Sequence, residues 1–186
     1  AVVVFEEPEF TLSTNAASYC VDEPVNFTVQ SATSGSADWA FGNGAQGSGF
    51  FAATTYAEPG TYWAVADVGT ALFACTAEDS VQVTVNPSPV WDLSVPEPGC
   101  SPFAATFGNA SLNTQFIAWT YSDGSAPDVV WSPTHTFLNN TATPVVYTVE
   151  VHAESSNFCA ADTVLQVGVL PAPEALIVLG ASASCE

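Results

Sequence analysis

Trp39-Ala40-Phe41-Gly42-Asn43-Gly44 returns after an interval of 80 residues as Trp119-Thr120-Tyr121-Ser122-Asp123-Gly124. Val81-Gln82-Val83-Thr84-Val85-Asn86-Pro87-Ser88-Pro89 returns after 84 as Leu165-Gln166-Val167-Gly168-Val169-Leu170-Pro171-Ala172-Pro173. Cys20 and Cys75 have counterparts in Cys100 and Cys159. An internal repeat of this length constrains the fold more than any local propensity, because each copy must be one structural unit. Val2 to Leu12 lies over Val83 to Leu93, and Pro173 to Ile177 starts the pattern a third time. The expected division is therefore 1–5 as the last strand of a preceding repeat, 6–86 and 87–170 as two complete repeats, and 171–186 as the start of a following one. A chain of this kind reads as a segment of a longer array.

Each copy carries the signature of strands. Val25-Asn26-Phe27-Thr28-Val29, Tyr147-Thr148-Val149-Glu150-Val151 and Val81 to Val85 alternate with period two and are rich in β-branched and aromatic residues. Gly, Pro, Asn and Ser clusters separate them, and no stretch joins helical periodicity to a cap and a glycine stop. A unit of this size with several short strands predicts an all-β, antiparallel β-sandwich. Gly-Asn-Gly and Asp-Gly after each tryptophan are hairpin-turn signals. Pro59-Gly60 suits the centre of a type II turn.

Composition settles whether such a chain can have a core and what it can bind. Hydrophobic residues make up 48% of the 186, with 5 Trp and 12 Phe, enough to bury two cores rather than remain disordered. There is no Lys or Arg against 19 Asp plus Glu, a formal net charge of −19. Nothing can neutralise phosphates, which excludes nucleic acid as a partner. An anionic bilayer surface would repel the chain, and no apolar run approaches the roughly 20 residues of a spanning helix. Lysine- and arginine-dependent chemistry is excluded with them. The missing basic residues have two physical readings: a chain inert to trypsin-like proteases, or an acid-rich surface suited to a saline habitat.

The motif Trp39-x-Phe41-Gly-Asn-Gly, followed by Tyr56-Ala57-Glu58-Pro59-Gly60-Thr61-Tyr62, resembles the polycystic kidney disease (PKD) type of immunoglobulin-like domain. The second repeat resembles it through Trp119-x-Tyr121-Ser122-Asp123-Gly124, Pro133 to Phe137 and Tyr147, with His135 at the aromatic position before the strand. Asn43 stands where the family has Asp, Ser122 where it has Gly, and the second copy lacks Pro-Gly-Thr-Tyr. The cysteine pair per copy and the Pro-x-Pro joints are similar to tandem arrays in large secreted surface adhesins of gliding and related Bacteroidetes-type bacteria. The resemblance implies tandem sandwiches whose core motif is Trp39, Phe41, Trp119 and Tyr121.

Cysteine is the strongest chemical signal. The matched spacing predicts disulfides within repeats, Cys20–Cys75 and Cys100–Cys159, each worth about 4 kcal/mol in the chain-entropy model. Disulfides imply an oxidising, extracellular setting. Gly42 to Gly47 spells G-x-G-x-x-G, but no helix follows to hold a pyrophosphate, so the segment reads as a turn and no cofactor is expected. His135 and His152 are the two histidines. A triad of His135 with Asp123 or Asp128 and a serine is conceivable, but no nucleophile elbow accompanies it, so no catalytic residue and no enzyme is expected. The acids are dispersed, the densest patch being Glu6-Glu7-x-Glu9, and no calcium-loop spacing or metal site emerges. Asn26, Asn109 and Asn139 open N-x-[ST] triplets, and Asp79-Ser80-Val81 and Asp162-Thr163-Val164, at equivalent places in the two repeats, resemble the Bacteroidetes-type O-glycosylation sequon.

The expectation is an acidic, non-enzymatic spacer of a secreted, cell-surface adhesin or filament, with neighbouring repeats as partners. The alternative is a carbohydrate- or protein-binding module accessory to a secreted hydrolase. An exposed aromatic row built from Trp63, Trp91 and Trp131 would favour it. The proline-containing joints and the negative charge predict two sandwiches set end to end.

Overall fold

The computed structural model describes residues 7–32, 34–70 and 75–173. Segment 1–5, most of 171–186 and Cys185 lie outside the described residues. The chain is all-β and falls into two compact units. The division comes between Ser88 and Pro89, and Ser155–Cys159 group with the first unit.

In the first unit, β1 (Phe10–Thr14), β3 (Val25–Ser31) and β6 (Phe51–Thr54) form one antiparallel sheet in the order β1-β3-β6. The second sheet runs β2-β8-β7-β4-β5, from β2 (Tyr19–Cys20), β4 (Ser34–Ala40), β5 (Gln46–Ser48), β7 (Gly60–Thr70) and β8 (Thr76–Asn86). All its pairs are antiparallel except β2 with β8. Alternation along β3 turns Val25, Phe27 and Val29 inward. They meet Ala37, Trp39, Ala64, Ala66, Val68, Val83 and Val85 of the other sheet in one continuous core. Phe27 lies 5.2 Å from Trp39 and 5.0 Å from Phe41, ring centre to ring centre. These aromatics supply the large apolar areas that hold two sheets face to face.

The second unit repeats the plan. β13 (Phe116–Tyr121), β15 (Val145–Glu154) and β16 (Ala160–Leu170) pair antiparallel, and β10 (Gly99–Cys100) adds a parallel edge beside β16. Against them stand the pair β11 (Phe103–Thr106) with β14 (Thr134–Phe137) and the pair β9 (Leu93–Ser94) with β12 (Gly108–Asn109). β11 and β12 are one strand interrupted at Phe107, whose N–H donates to the Pro133 carbonyl at 2.9 Å. Phe107 lies 5.4 Å from Trp119 and 6.4 Å from Tyr121, the same trio as Phe27, Trp39 and Phe41.

The turn after each tryptophan forms as the motif predicts. Gly42 and Gly44 take φ of 78° and 89°, and Gly124 takes 82°. The expected type II turn at Pro59-Gly60 does not form. Gly60 is already the first residue of β7, opposite Val85, and pairing requires extended backbone instead of positive φ.

Candidate functional site

The turn after β13 gathers a group of hydrogen-bonded polar side chains. Asp123 is its acceptor: Oδ1 receives hydrogen bonds from the Ser125 N–H at 3.0 Å and the Ser125 hydroxyl at 2.7 Å. Oδ2 lies 2.8 Å from His135 Nε2 on β14. The His135 ring stacks on Tyr121 at 3.8 Å and meets Phe137 edge-on at 4.6 Å. The Tyr121 hydroxyl donates to Asp128 Oδ2 at 2.7 Å. Burial of Asp123 acts to raise its pKa, but the hydrogen bonds from His135 and Ser125 and the nearby imidazole outweigh it and leave the carboxyl below its ordinary value. Burial, and then the bond to Asp128, push the Tyr121 phenol well above its ordinary value, so it remains a donor.

This brings together a serine, a histidine and an aspartate, as the sequence allowed. Their geometry is not that of a relay. Ser125 Oγ, at 3.4 Å, and Asp123 Oδ2 both approach the same ring nitrogen, Nε2. A triad needs the acid on one nitrogen and the hydroxyl on the other. Here the serine hydroxyl also donates to the acid. The group can clamp a turn to a strand, and that is what its first-unit counterpart does. Asn43 Nδ2 donates to the Thr55 carbonyl at 2.8 Å and to Thr54 Oγ1 at 3.3 Å, while Asn43 Oδ1 receives the Ala45 N–H.

Strand register makes His135 the counterpart of Thr54: Val25 faces Thr54 and Ala105 faces His135. The aromatic position before the strand therefore belongs to Phe137, not to His135. Phe137 matches Tyr56, and both are buried. Tyr56 lies 4.3 Å from Tyr62, and Phe137 lies 4.9 Å from Tyr147. The Tyr56 hydroxyl donates to the buried Phe41 carbonyl at 2.9 Å. Burial, with Tyr62 and Tyr19 nearby, pushes its pKa up to about 12.

The outward face of the first unit's larger sheet carries a row of acids that sequence reading missed. Asp38, Asp67 and Glu78 are direct neighbours on three adjacent strands. Asp67 Oδ1 is buried without a hydrogen-bond partner. The corresponding row in the second unit is Ala118, His152 and Asp162. There His152 Nδ1 lies 2.8 Å from Asp162 and Nε2 lies 3.4 Å from Glu154. The bonds to Asp162 and then Glu154 raise the His152 pKa. Side chains in such rows stand side by side rather than converge. Among the described residues, no group of three or more His, Cys, Asp or Glu is placed to hold a metal ion. The signal that could have found the rows was strand register, which needs the pairing.

Of the three tryptophans, Trp63 belongs to the first unit and Trp91 and Trp131 to the second. Trp63 is 56% exposed on the first unit's outer face. Trp91 packs against the second core, and Trp131, in the loop before β14, donates its indole N–H to the Asn109 carbonyl. Asn139 is 3% exposed, and its amide donates to the Thr143 and Val169 carbonyls, so it is a structural strut and no glycan acceptor in the folded chain. Asn26 is exposed and Asn109 half-buried. Ser80 and Thr163 are not equivalent. Ser80 faces Val65 on the exposed side, whereas Thr163 faces Val151 on the core side, the place Asp79 holds opposite Ala66.

The largest correction concerns the cysteines. Cys20 is bonded to Cys159, with S–S 2.07 Å and Cα–Cα 5.6 Å, while Cys75 and Cys100 are free thiols. Pairing within a repeat fails on strand length. Cys20 sits beside Asn86 at the end of β8, whereas Cys75 immediately precedes the start of that 11-residue strand. At about 3.3 Å per residue the two are over 30 Å apart, and a disulfide spans less than about 7 Å between Cα atoms. Cys100, beside Leu170, and Cys159, just before β16, are separated in the same way.

No protein-family model matches the chain, and no curated protein matches it in sequence. Among solved structures, it is similar to the fibronectin(III)-like modules of Clostridium thermocellum CbhA. The identity is 15% over 87% of this chain and 94% of that one, with a TM-score of 0.37. It is also similar to carbohydrate-binding modules of the β-sandwich superfamily, at 11% identity over 89% and 85% with a TM-score of 0.41. The ectodomain of mouse nectin-like molecule 4, with domains Ig1–Ig3, is similar at 12% identity over 92% and 67% with a TM-score of 0.37. The chain is an all-β protein whose two units are each built of sheets packed around one core.

Proposed function

We propose that the chain is a non-enzymatic spacer from a large extracellular surface adhesin or filament, built of PKD-type sandwiches in tandem. The observation that carries this reading is the residue-by-residue equivalence of the two units: Trp39 with Trp119, Phe41 with Tyr121, Tyr56 with Phe137, Tyr62 with Tyr147. Building one sandwich twice adds length and leaves the chemistry unchanged. The polar groups that sequence offered for chemistry are spent on turns: Asp123, Ser125 and His135 clamp one, and Asn43 the other. A disulfide supports an oxidising, non-cytoplasmic compartment, and the absence of Lys and Arg suits a fibre exposed to proteases.

A binding-module reading draws on Trp63, which is exposed on the first unit's outer face. A single aromatic gives one stacking platform where a sugar-binding face would use several. Glycan-array screening of the 186-residue chain, followed by tryptophan fluorescence titration, separates the two. The spacer shows no saturable binding up to millimolar sugar. Saturable binding that is lost in Trp63→Ala would install the binding module in its place.

A further inference from the structure

Asn43 is the one asparagine of the chain that is followed by glycine. With no side chain at the next position, the backbone nitrogen of Gly44 is open to approach by the amide carbon of Asn43. Gly44 also stands in free space: a Cβ built on it, at φ +89°, would meet nothing within 4 Å. Both residues are exposed. These are the conditions under which an asparagine closes on its own backbone and loses ammonia. The turn itself opposes that reaction. Asn43 Oδ1 receives the Ala45 N–H at 2.9 Å, and Nδ2 donates to the Thr55 carbonyl at 2.8 Å and to Thr54 Oγ1 at 3.3 Å. Nδ2 is the atom that would leave, so both of its bonds must break first, each a factor of about five in population. The second unit shows what an acid needs at this position. Asp123 keeps the turn bond, from the Ser125 N–H to Oδ1 at 3.0 Å, and its other oxygen has His135 as a partner at 2.8 Å. In the first unit the place of His135 is held by Thr54, and the neighbouring Thr55 carbonyl is an acceptor, which a carboxylate cannot bond.

We propose that Asn43-Gly44 is a site of spontaneous deamidation, kept closed by the folded turn and released when the turn lets go of β6. The co-reactant is water. The Gly44 backbone nitrogen gives up its proton and attacks Asn43 Cγ, closing a five-membered succinimide. The Cγ–Nδ2 bond breaks, and Nδ2 leaves as ammonia with the proton that the Gly44 nitrogen lost. Water then opens the ring. Attack at Cγ yields aspartate, and attack at the main-chain carbonyl yields isoaspartate, whose backbone runs through the former side chain. No electrons are transferred, and the new carboxyl gives its proton to the ammonia. Neither product restores the clamp. Aspartate has no donor for the Thr55 carbonyl, and isoaspartate adds a carbon to the backbone of a tight turn. Conversion is therefore a lasting mark that the first unit has opened, and the second unit, with Asp123 already in place, has no such mark to take. The proposal is independent of the spacer reading.

The test incubates the 186-residue chain in mildly alkaline buffer, folded in one arm and unfolded by urea in the other, with circular dichroism reporting the state. Peptide mass spectrometry follows the conversion of amide to acid at each asparagine, and a protein isoaspartate methyltransferase labels the isoaspartate. In urea, position 43 should convert at least tenfold faster than any other asparagine, and Gly44→Ala should slow it severalfold where folding plays no part. In the folded chain, position 43 should convert at least tenfold more slowly than in urea. Asn43→Asp should melt below the parent chain. Equal rates in the two arms would show that the turn does not shield the amide. Another asparagine converting first in urea, or an unchanged melting temperature in Asn43→Asp, would likewise overturn the proposal. None of these outcomes bears on glycan binding, so the spacer reading stands or falls separately.

Discussion

Asp123 shows how a chain without Lys or Arg keeps a carboxylate charged near its surface. It draws on one histidine, one hydroxyl and one backbone N–H, all from within its own unit. Its folded pKa is depressed, so its contribution is present above the pKa of the unfolded carboxyl and is lost as pH falls through the folded value. Asp123→Asn should cost about 1 kcal/mol near pH 5, the scale of a lost hydrogen-bonding partner. It should also flatten the fall in melting temperature between pH 5 and pH 2, as read by circular dichroism. His152 works in the opposite sense. Its raised pKa stabilises below the unfolded value and is lost as pH rises through the folded one. It is partly exposed, so its effect stays within that of a surface pair, under about 1 kcal/mol.

At the scale of elements, the turn between β4 and β5 ties the two sheets of the first unit together. Asn43 reaches across to Thr54 and Thr55, at and beyond the end of β6, and Gly42 lets β7 approach. A Cβ at Gly42 would stand 2.7 Å from the Trp63 carbonyl oxygen, in a backbone at φ +78°. A Cβ at Gly44, at φ +89°, would meet nothing within 4 Å. Both substitutions pay for left-handed backbone, about 1 kcal/mol, but only the first must also move a strand. Urea denaturation should show Gly42→Ala losing about 2–3 kcal/mol and Gly44→Ala about 1. Equal losses would mean that Trp63 yields freely.

For the whole molecule, the Cys20–Cys159 bond is the long-range constraint, joining positions 139 residues apart. In the chain-entropy model a loop of that size is worth up to about 5 kcal/mol, more than either shorter loop that the sequence suggested. Cys20→Ser should lower the melting temperature as far as reduction lowers that of the parent chain. Added reductant should then shift it no further, as calorimetry would show.

Periodicity, turn chemistry and self-similarity were enough to read two sandwiches, their strands and their tryptophan cores, because alternation and Gly-Asn-Gly are local instructions. Trp39 and Trp119 are buried as their motif requires. Strand register was beyond local reading, and several of the corrections above follow from it. Register moved the aromatic position from His135 to Phe137, set Ser80 and Thr163 on opposite sides, turned Gly60 from turn to strand, and lined up Asp38 with Asp67 and Glu78. The cysteines show why most clearly. Equal spacing in sequence suggested that Cys20 should find Cys75, but an 11-residue extended strand holds the two apart. Spacing along a chain counts residues, whereas a disulfide requires its two Cα atoms to lie within a few ångströms, and only the tertiary structure brings Cys159 that close to Cys20.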